Sequence, residues 1–139
     1  MAKTVATLIG VLFILVGIVG FLAPGVAGFH LSMAHNLIHI VSGAVSLYFG
    51  LKGTLAGARL FCIVFGAVYG LLGVAGFLFG GAGNHTMSGI AHGADSRLLS
   101  VIPGALELGT VDHTFHIFLT IVFLAAGFMT RADLGRAVD

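Results

Sequence analysis

Residues 60–79 read LFCIVFGAVYGLLGVAGFLF, twenty consecutive positions without a charged side chain. A bilayer core about 30 Å thick is spanned by ~20 apolar residues in a helix. A membrane β-strand would alternate lipid-facing and lumen-facing residues, and this run does not alternate. It reads as a transmembrane helix. Three further runs share its character, at about 4–22, 34–51 and 111–130. Each ends at a breaker or a charge: Ala23-Pro24-Gly25, Lys52-Gly53, Gly80-Gly81 and Arg131. Proline lacks the N–H that continues a helix, and glycine has high backbone freedom.

The rest of the composition agrees. Of 139 residues, 58% are hydrophobic and only 8% charged, against ~25% charged in a soluble domain. Mean hydropathy is +1.14. Such a chain cannot cover a globular surface with polar groups. A net charge of +1 also excludes a nucleic-acid partner, which would need many phosphate-neutralising cations. The single cysteine, Cys62, permits no internal disulfide. The expectation is an all-α membrane protein: one four-helix transmembrane domain over 1–139, embedded in a lipid bilayer, with an outer loop at 80–110.

Four spans put both termini on one side. Lys3, Lys52, Arg59, Arg131 and Arg136 fall on that side and Arg97 on the other, so the positive-inside rule makes the termini cytoplasmic. The first run is longer than the 7–15 residues of a signal-peptide core, and it takes part in an internal repeat. Gly10, Leu15, Gly17, Gly20, Phe21 and Leu22 align with Gly66, Leu71, Gly73, Gly76, Phe77 and Leu78. His39, Ile40, Val45, Leu47 and Gly50 align with His116, Ile117, Val122, Leu124 and Gly127. Two pseudo-repeated hairpins of one orientation would follow, related by an axis along the membrane normal.

Gly10, Gly17 and Gly20 line one face of helix one, and Gly66, Gly70 and Gly73 one face of helix three. Small residues on one face let membrane helices approach closely. The expected role is helix packing, with helix one against helix three.

The seven histidines all map to the outer loops or the outer helix ends. His35 and His39 are four apart, as are Asp112 and His116, which places each pair on one helix face. In the repeat His39 corresponds to His116 and His35 to Asp112. The pairs would meet at one depth. Imidazoles with one carboxylate suit zinc or copper, so His35, His39, Asp112, His113 and His116 are the candidate metal ligands, with His113 in a supporting or alternative place. Protons compete with metal for imidazole, so affinity should fall as outer pH drops from ~7.5 to ~5.5. Two alternatives stay open. A His39–Asp112 or His116–Asn36 hydrogen bond would satisfy the same groups without metal. His39 and His116 could also hold a haem in bis-His ligation, with the glycines making room for the macrocycle.

In the outer loop, residues 81–88 read as flexible. Asp95 could N-cap a short interfacial helix beginning Asp95-Ser96-Arg97-Leu98-Leu99, and Pro103-Gly104 turns the chain. His85, His92, Asp95 and Glu107 either extend a metal-capturing surface or keep the loop solvated. No nucleophile–base pair, phosphate loop or paired catalytic carboxylates occur, so no enzyme is expected.

Asn36-Leu37-Ile38-His39, Ala58-Arg59-Leu60 and Asp112-His113-Thr114-Phe115-His116, with the four-span layout, resemble a family of small bacterial four-helix membrane proteins catalogued as domain of unknown function four-three-eight-three. The resemblance covers nearly the whole chain. It implies that Asn36, His39, Asp112 and His116 are family features, with His35 and His113 additional, and a place in the bacterial plasma (inner) membrane. It brings no activity. Three functions are therefore carried forward: a metal-binding membrane protein, an accessory subunit of a homo-oligomer or larger membrane complex, and a bis-His haem electron carrier.

Overall fold

Each apolar run is a helix, and for two of them the residue ahead explains where the helix begins. In the computed structural model, which describes residues 1–86 and 93–131, α1 runs Ala2–Leu22, α2 Met33–Leu47, α3 Leu55–Phe79 and α4 Thr110–Met129. The Ser32 hydroxyl accepts the His35 N–H at the start of α2, and the Thr54 hydroxyl accepts the Gly57 N–H at the start of α3. Serine and threonine here satisfy donors that the first helical turn leaves unpaired. A π turn, Tyr48–Lys52, extends α2. All four helices are long and apolar enough to cross a membrane. Their outward faces are apolar too: Leu8, Leu15, Leu60, Leu71, Ile121 and Phe128 are among the exposed side chains.

The glycine stripes are consumed within each hairpin, not between α1 and α3 as expected. A Cβ on Gly10 would lie 2.9 Å from the Leu47 backbone nitrogen of α2; one on Gly66 would lie 2.8 Å from the Leu124 side chain of α4. Gly17 faces Ile40 and the Asn36 carbonyl, and Gly73 faces Ile117 and the His113 carbonyl. Gly20 abuts the Asn36 side chain, Gly76 the His113 ring, and Gly70 meets Thr120. The reason is connectivity: sequential helices lie side by side, so the closest backbone approach falls to the neighbour in the chain. The grooves once suited to a macrocycle are filled.

Between the hairpins the core is aromatic. Phe13, Phe61, Tyr69, Leu119 and Phe123 bury against one another, with Tyr69 stacked on Phe123 at 6.1 Å between ring centroids. At the end bearing the N-terminus, the Ala2 N–H donates to the Thr130 hydroxyl (2.8 Å), Ser46 to the Ala6 carbonyl (2.7 Å) and Arg59 Nε to the Gly127 carbonyl (3.0 Å).

The other end carries a cap that departs from expectation. Instead of a flexible run and a short helix, an antiparallel sheet of order β1-β2-β3 forms from Gly81–Asn84, Ala94–Ile102 and Leu106–Leu108. Asp95 therefore lies in β2 and begins no helix of its own. Its carboxylate accepts the Thr110 N–H (3.0 Å) and hydroxyl (2.6 Å), serving the N-terminus of α4 from across the sheet. Pro103-Gly104 makes the β2–β3 turn as expected, with Gly104 at φ +75° in the region open to glycine. His92 and Arg136, both used in the sequence reading, lie outside the described residues, as does part of the 81–88 run.

Candidate histidine site

The N-terminal turns of α2 deliver His35 and His39 to the cap end, and α4 delivers His116. His35 and His39 stack at 4.5 Å with 25° between their planes. His116 lies 6.5 Å from His35 and 5.2 Å from the Tyr69 ring, centroid to centroid. Phe13 packs its edge on His39 at 5.2 Å. Three of the five expected ligands are thus brought together.

His113 is not, and Asp112 is only in part: it lines the smaller cavity together with His35, His39 and His116, but its carboxylate is engaged by the α1–α2 loop, where His30 Nδ1 donates to its Oδ2 (3.1 Å) and the His30 N–H lies 3.4 Å from its Oδ1. The Gly109 N–H also donates to Oδ2 at 2.8 Å. A carboxylate in the first helical turn is drawn to the unpaired N–H groups there, and His30 adds a second partner. His113 points to α3 and the sheet: its Nε2 donates to the Arg97 carbonyl at 2.8 Å, and its ring meets Phe77 at 5.6 Å. Neither the His39–Asp112 nor the His116–Asn36 bond forms; Asn36 Nδ2 donates to the Leu31 carbonyl at 3.1 Å.

The trio's protonation is partly set by its neighbours. His35 Nδ1 is 2.8 Å from the His30 carbonyl. A carbonyl only accepts, so Nδ1 carries the hydrogen; in the neutral ring the lone pair is then on Nε2, a tautomer choice typical of histidines that bind through the other nitrogen. The Nδ1 atoms of His39, His113 and His116 and the Oδ1 of Asn36 are buried without a hydrogen-bond partner. A buried polar atom left unpaired costs free energy, and within the trio that cost falls on His39 and His116.

Two cavities meet at the trio. One, of about 190 Å³, lies between α2 and α3; His35, His39, Ser42, Tyr69 and His116 form its polar end. The second, of about 140 Å³, lies on the α1 side against Phe13, Phe29 and Phe115.

The loop residues form a separate polar layer. His30 and His85 rings lie 5.1 Å apart, and both residues are buried, not solvated. The hydrogen bond to Asp112 raises the His30 pKa; burial opposes it, and the charges of Asp112, Asp95 and Glu107 add to the rise. Burial pushes the Asp95 carboxyl up. Hydrogen bonds from the Thr110 hydroxyl and the Arg97 and Thr110 N–H groups outweigh this and hold it below the usual carboxylate range. Glu107, far from keeping the loop wet, is a buried hub for Thr86, Ser100 and Gly104.

His30 and Tyr69 are the site residues that sequence reasoning missed. Tyr69 carries a hydroxyl in an otherwise charge-free helix, which is a readable signal. His30 sits in a segment without periodicity and offered none.

Among the described residues, no group of three or more His, Cys, Asp and Glu side chains is arranged to hold a metal ion. The fold and site define a capped four-helix bundle with apolar outer faces and a histidine-ended internal cavity. No family model, curated protein or solved structure matches the chain.

Proposed function

We propose that this chain is a multi-pass protein of the bacterial plasma membrane, with cytoplasmic termini, that binds a transition metal, zinc or copper, through His35, His39 and His116. The observation that carries the reading is the pair of buried, unpartnered Nδ1 atoms on His39 and His116 beside a His35 whose tautomer leaves Nε2 free. Neutral imidazoles cost far less to bury than charged ligands. Three protein ligands leave a fourth position open, as in zinc sites that keep an exchangeable ligand. Metal loading would swing His39 out of its stack on His35. The pairwise agreement of glycine contacts, Gly10 on Leu47 with Gly66 on Leu124 and Gly20 on Asn36 with Gly76 on His113, supports a duplicated hairpin, which would bring His39 and His116 to one depth.

The test is metal analysis of the purified protein. Stoichiometric zinc or copper is expected, abolished by His39→Ala or His116→Ala and retained in His85→Ala and His113→Ala. A metal-free wild type would refute the reading. It would favour the second one, an accessory subunit of a larger membrane assembly, which draws support from the hydrogen bonds that already satisfy Asp112 and His113 Nε2.

A further inference from the structure

We propose that the cavity between α2 and α3 binds a lipid-soluble ring compound bearing a carbonyl or hydroxyl oxygen, the chemistry of a quinone or quinol head group. The proposal goes beyond metal binding and does not need it. Four observations converge. First, α2 and α3 scarcely touch, whereas α1 packs along α2 and α3 along α4, so a seam runs between them. Val68, at that seam, is 48% exposed on a surface of apolar residues, so in a bilayer the mouth would face lipid.

Second, the size is that of one substituted ring. A dry apolar cavity of ~150 Å³ holds benzene, and this one measures about 190 Å³. Third, its polarity is segregated. Apolar side chains, among them Phe65, Val68 and Leu72, line the walls, Val101 and Leu106 of the sheet form the roof, and the polar groups gather at the histidine end. No lysine or arginine is among the lining residues, so a phosphate-bearing head would find no counter-charge. Fourth, His116 is 95% buried, being 5% exposed, and its Nδ1 lacks a partner. A neutral imidazole nitrogen donates to a carbonyl in one tautomer and accepts from a hydroxyl in the other. The Tyr69 hydroxyl, which shares a hydrogen bond with Ser42, can still donate or accept one more, so the polar end accommodates both the carbonyl and the hydroxyl form of one ring.

The full chain in detergent, treated with a chelator, provides the test, because binding to metal-free protein is then judged apart from the metal reading. The chain has two tyrosines and no tryptophan, so a Tyr48→Phe background leaves Tyr69 as the sole strong fluorophore, in the cavity wall. The probe is a fully substituted 1,4-benzoquinone with a short alkyl tail, whose filled ring positions spare Cys62 from alkylation. Saturable, absorption-corrected quenching of Tyr69 is expected. Val68→Phe at the mouth and Val101→Phe at the roof should each weaken it at least tenfold, so misfolding of one does not decide the outcome. Leu71→Phe, at a 72% exposed position on α3 outside the cavity lining, should leave it unchanged. An alkylbenzene of the same tail, read by competition, should displace the quinone at least tenfold less well. Linear quenching equal in all variants, no quenching, or equal competition by the alkylbenzene would each overturn the proposal.

Discussion

Glu107 is 1% exposed and holds the cap together. Its Oε1 accepts the Thr86 hydroxyl (2.7 Å), the Ser100 hydroxyl (3.2 Å) and the Gly104 N–H (3.2 Å), while Oε2 accepts the Thr86 N–H (2.7 Å). Glu107→Gln keeps an acceptor at the Oε1 position and sets an amide NH₂ against the Thr86 N–H. One charge-assisted bond is lost, worth about 1.5–3 kcal/mol. Glu107→Ala loses all four. Simple addition at the low end gives about 6 kcal/mol, but Thr86, Ser100 and Gly104 lie on exposed residues that water can re-pair, so about 3 kcal/mol is expected. Local opening is read by hydrogen exchange at the Thr86 and Gly104 amides. With tenfold per 1.4 kcal/mol, Gln at about 2 kcal/mol should speed Thr86 exchange roughly 30-fold, and Ala more than 100-fold. Burial raises the Glu107 pKa, yet the bonds from Thr86, Gly104 and Ser100 outweigh it and hold the carboxyl below its ordinary 4.5. A depressed carboxylate stabilises above its unfolded pKa and loses that contribution as pH falls through the native value. Protection corrected for intrinsic rates should thus drop below pH 4.5 in wild type and stay flat in Glu107→Gln. Unchanged Thr86 and Gly104 exchange in both variants would refute the hub.

Other expectations follow from the same geometry. The raised His30 pKa means its bond to Asp112 contributes fully below the ordinary 6.5 and is lost as pH rises through the native value, by about 1–2 kcal/mol; thermal unfolding across that range should show the loss in wild type and not in His30→Ala. Asp112→Asn should keep the fold, because the amide oxygen still accepts the Gly109 N–H, and should remove the same pH dependence. Gly10→Ala forces a Cβ to 2.9 Å from the Leu47 nitrogen and 3.0 Å from the Gly43 carbonyl, so a backbone must give, at about 1–3 kcal/mol. Gly81→Ala, with nothing within 4 Å, should stay within about 0.5 kcal/mol of wild type; equal losses in the two glycine variants would contradict the packing account.

The four helices were legible because an uninterrupted apolar run has few other solutions in a chain this poor in charge. Their start points were softer: α3 begins at Leu55, ahead of Arg59, because Thr54 caps it, and capping is a side-chain geometry that hydropathy does not carry. The cap sheet was hidden. Gly81–Asn84 lacks the apolar alternation of a half-buried strand, and β2 becomes a strand through partners on both sides. The glycine stripes announced close approach without naming the partner. His35, His39 and His116 were readable from helical spacing. Asp112 shares a cavity with them, but its partner was not readable, since the direction of the carboxylate depends on where His30 lands. That in turn rests on a left-handed pair, Ala27 at φ +53° and Gly28 at φ +82°, and a positive φ at alanine is rarely foreseeable from sequence.

How the cap is fastened has a mechanical consequence. Arg97 and Asp95 bolt it to α4 through His113 and Thr110, and the register of β3 leads straight into that helix. Among the described residues, the hydrogen bonds toward the first hairpin are fewer: the Ser32 hydroxyl on the Ala105 carbonyl, and His30 on Asp112 at the α4 terminus. The sheet is therefore fastened like a visor, joined to the second hairpin and latched to the first. Releasing those two catches would let α2 swing from α3 with the visor carried along, widening the seam without unzipping a single strand. One of the catches is a histidine–carboxylate bond, so the latch would loosen as pH rises.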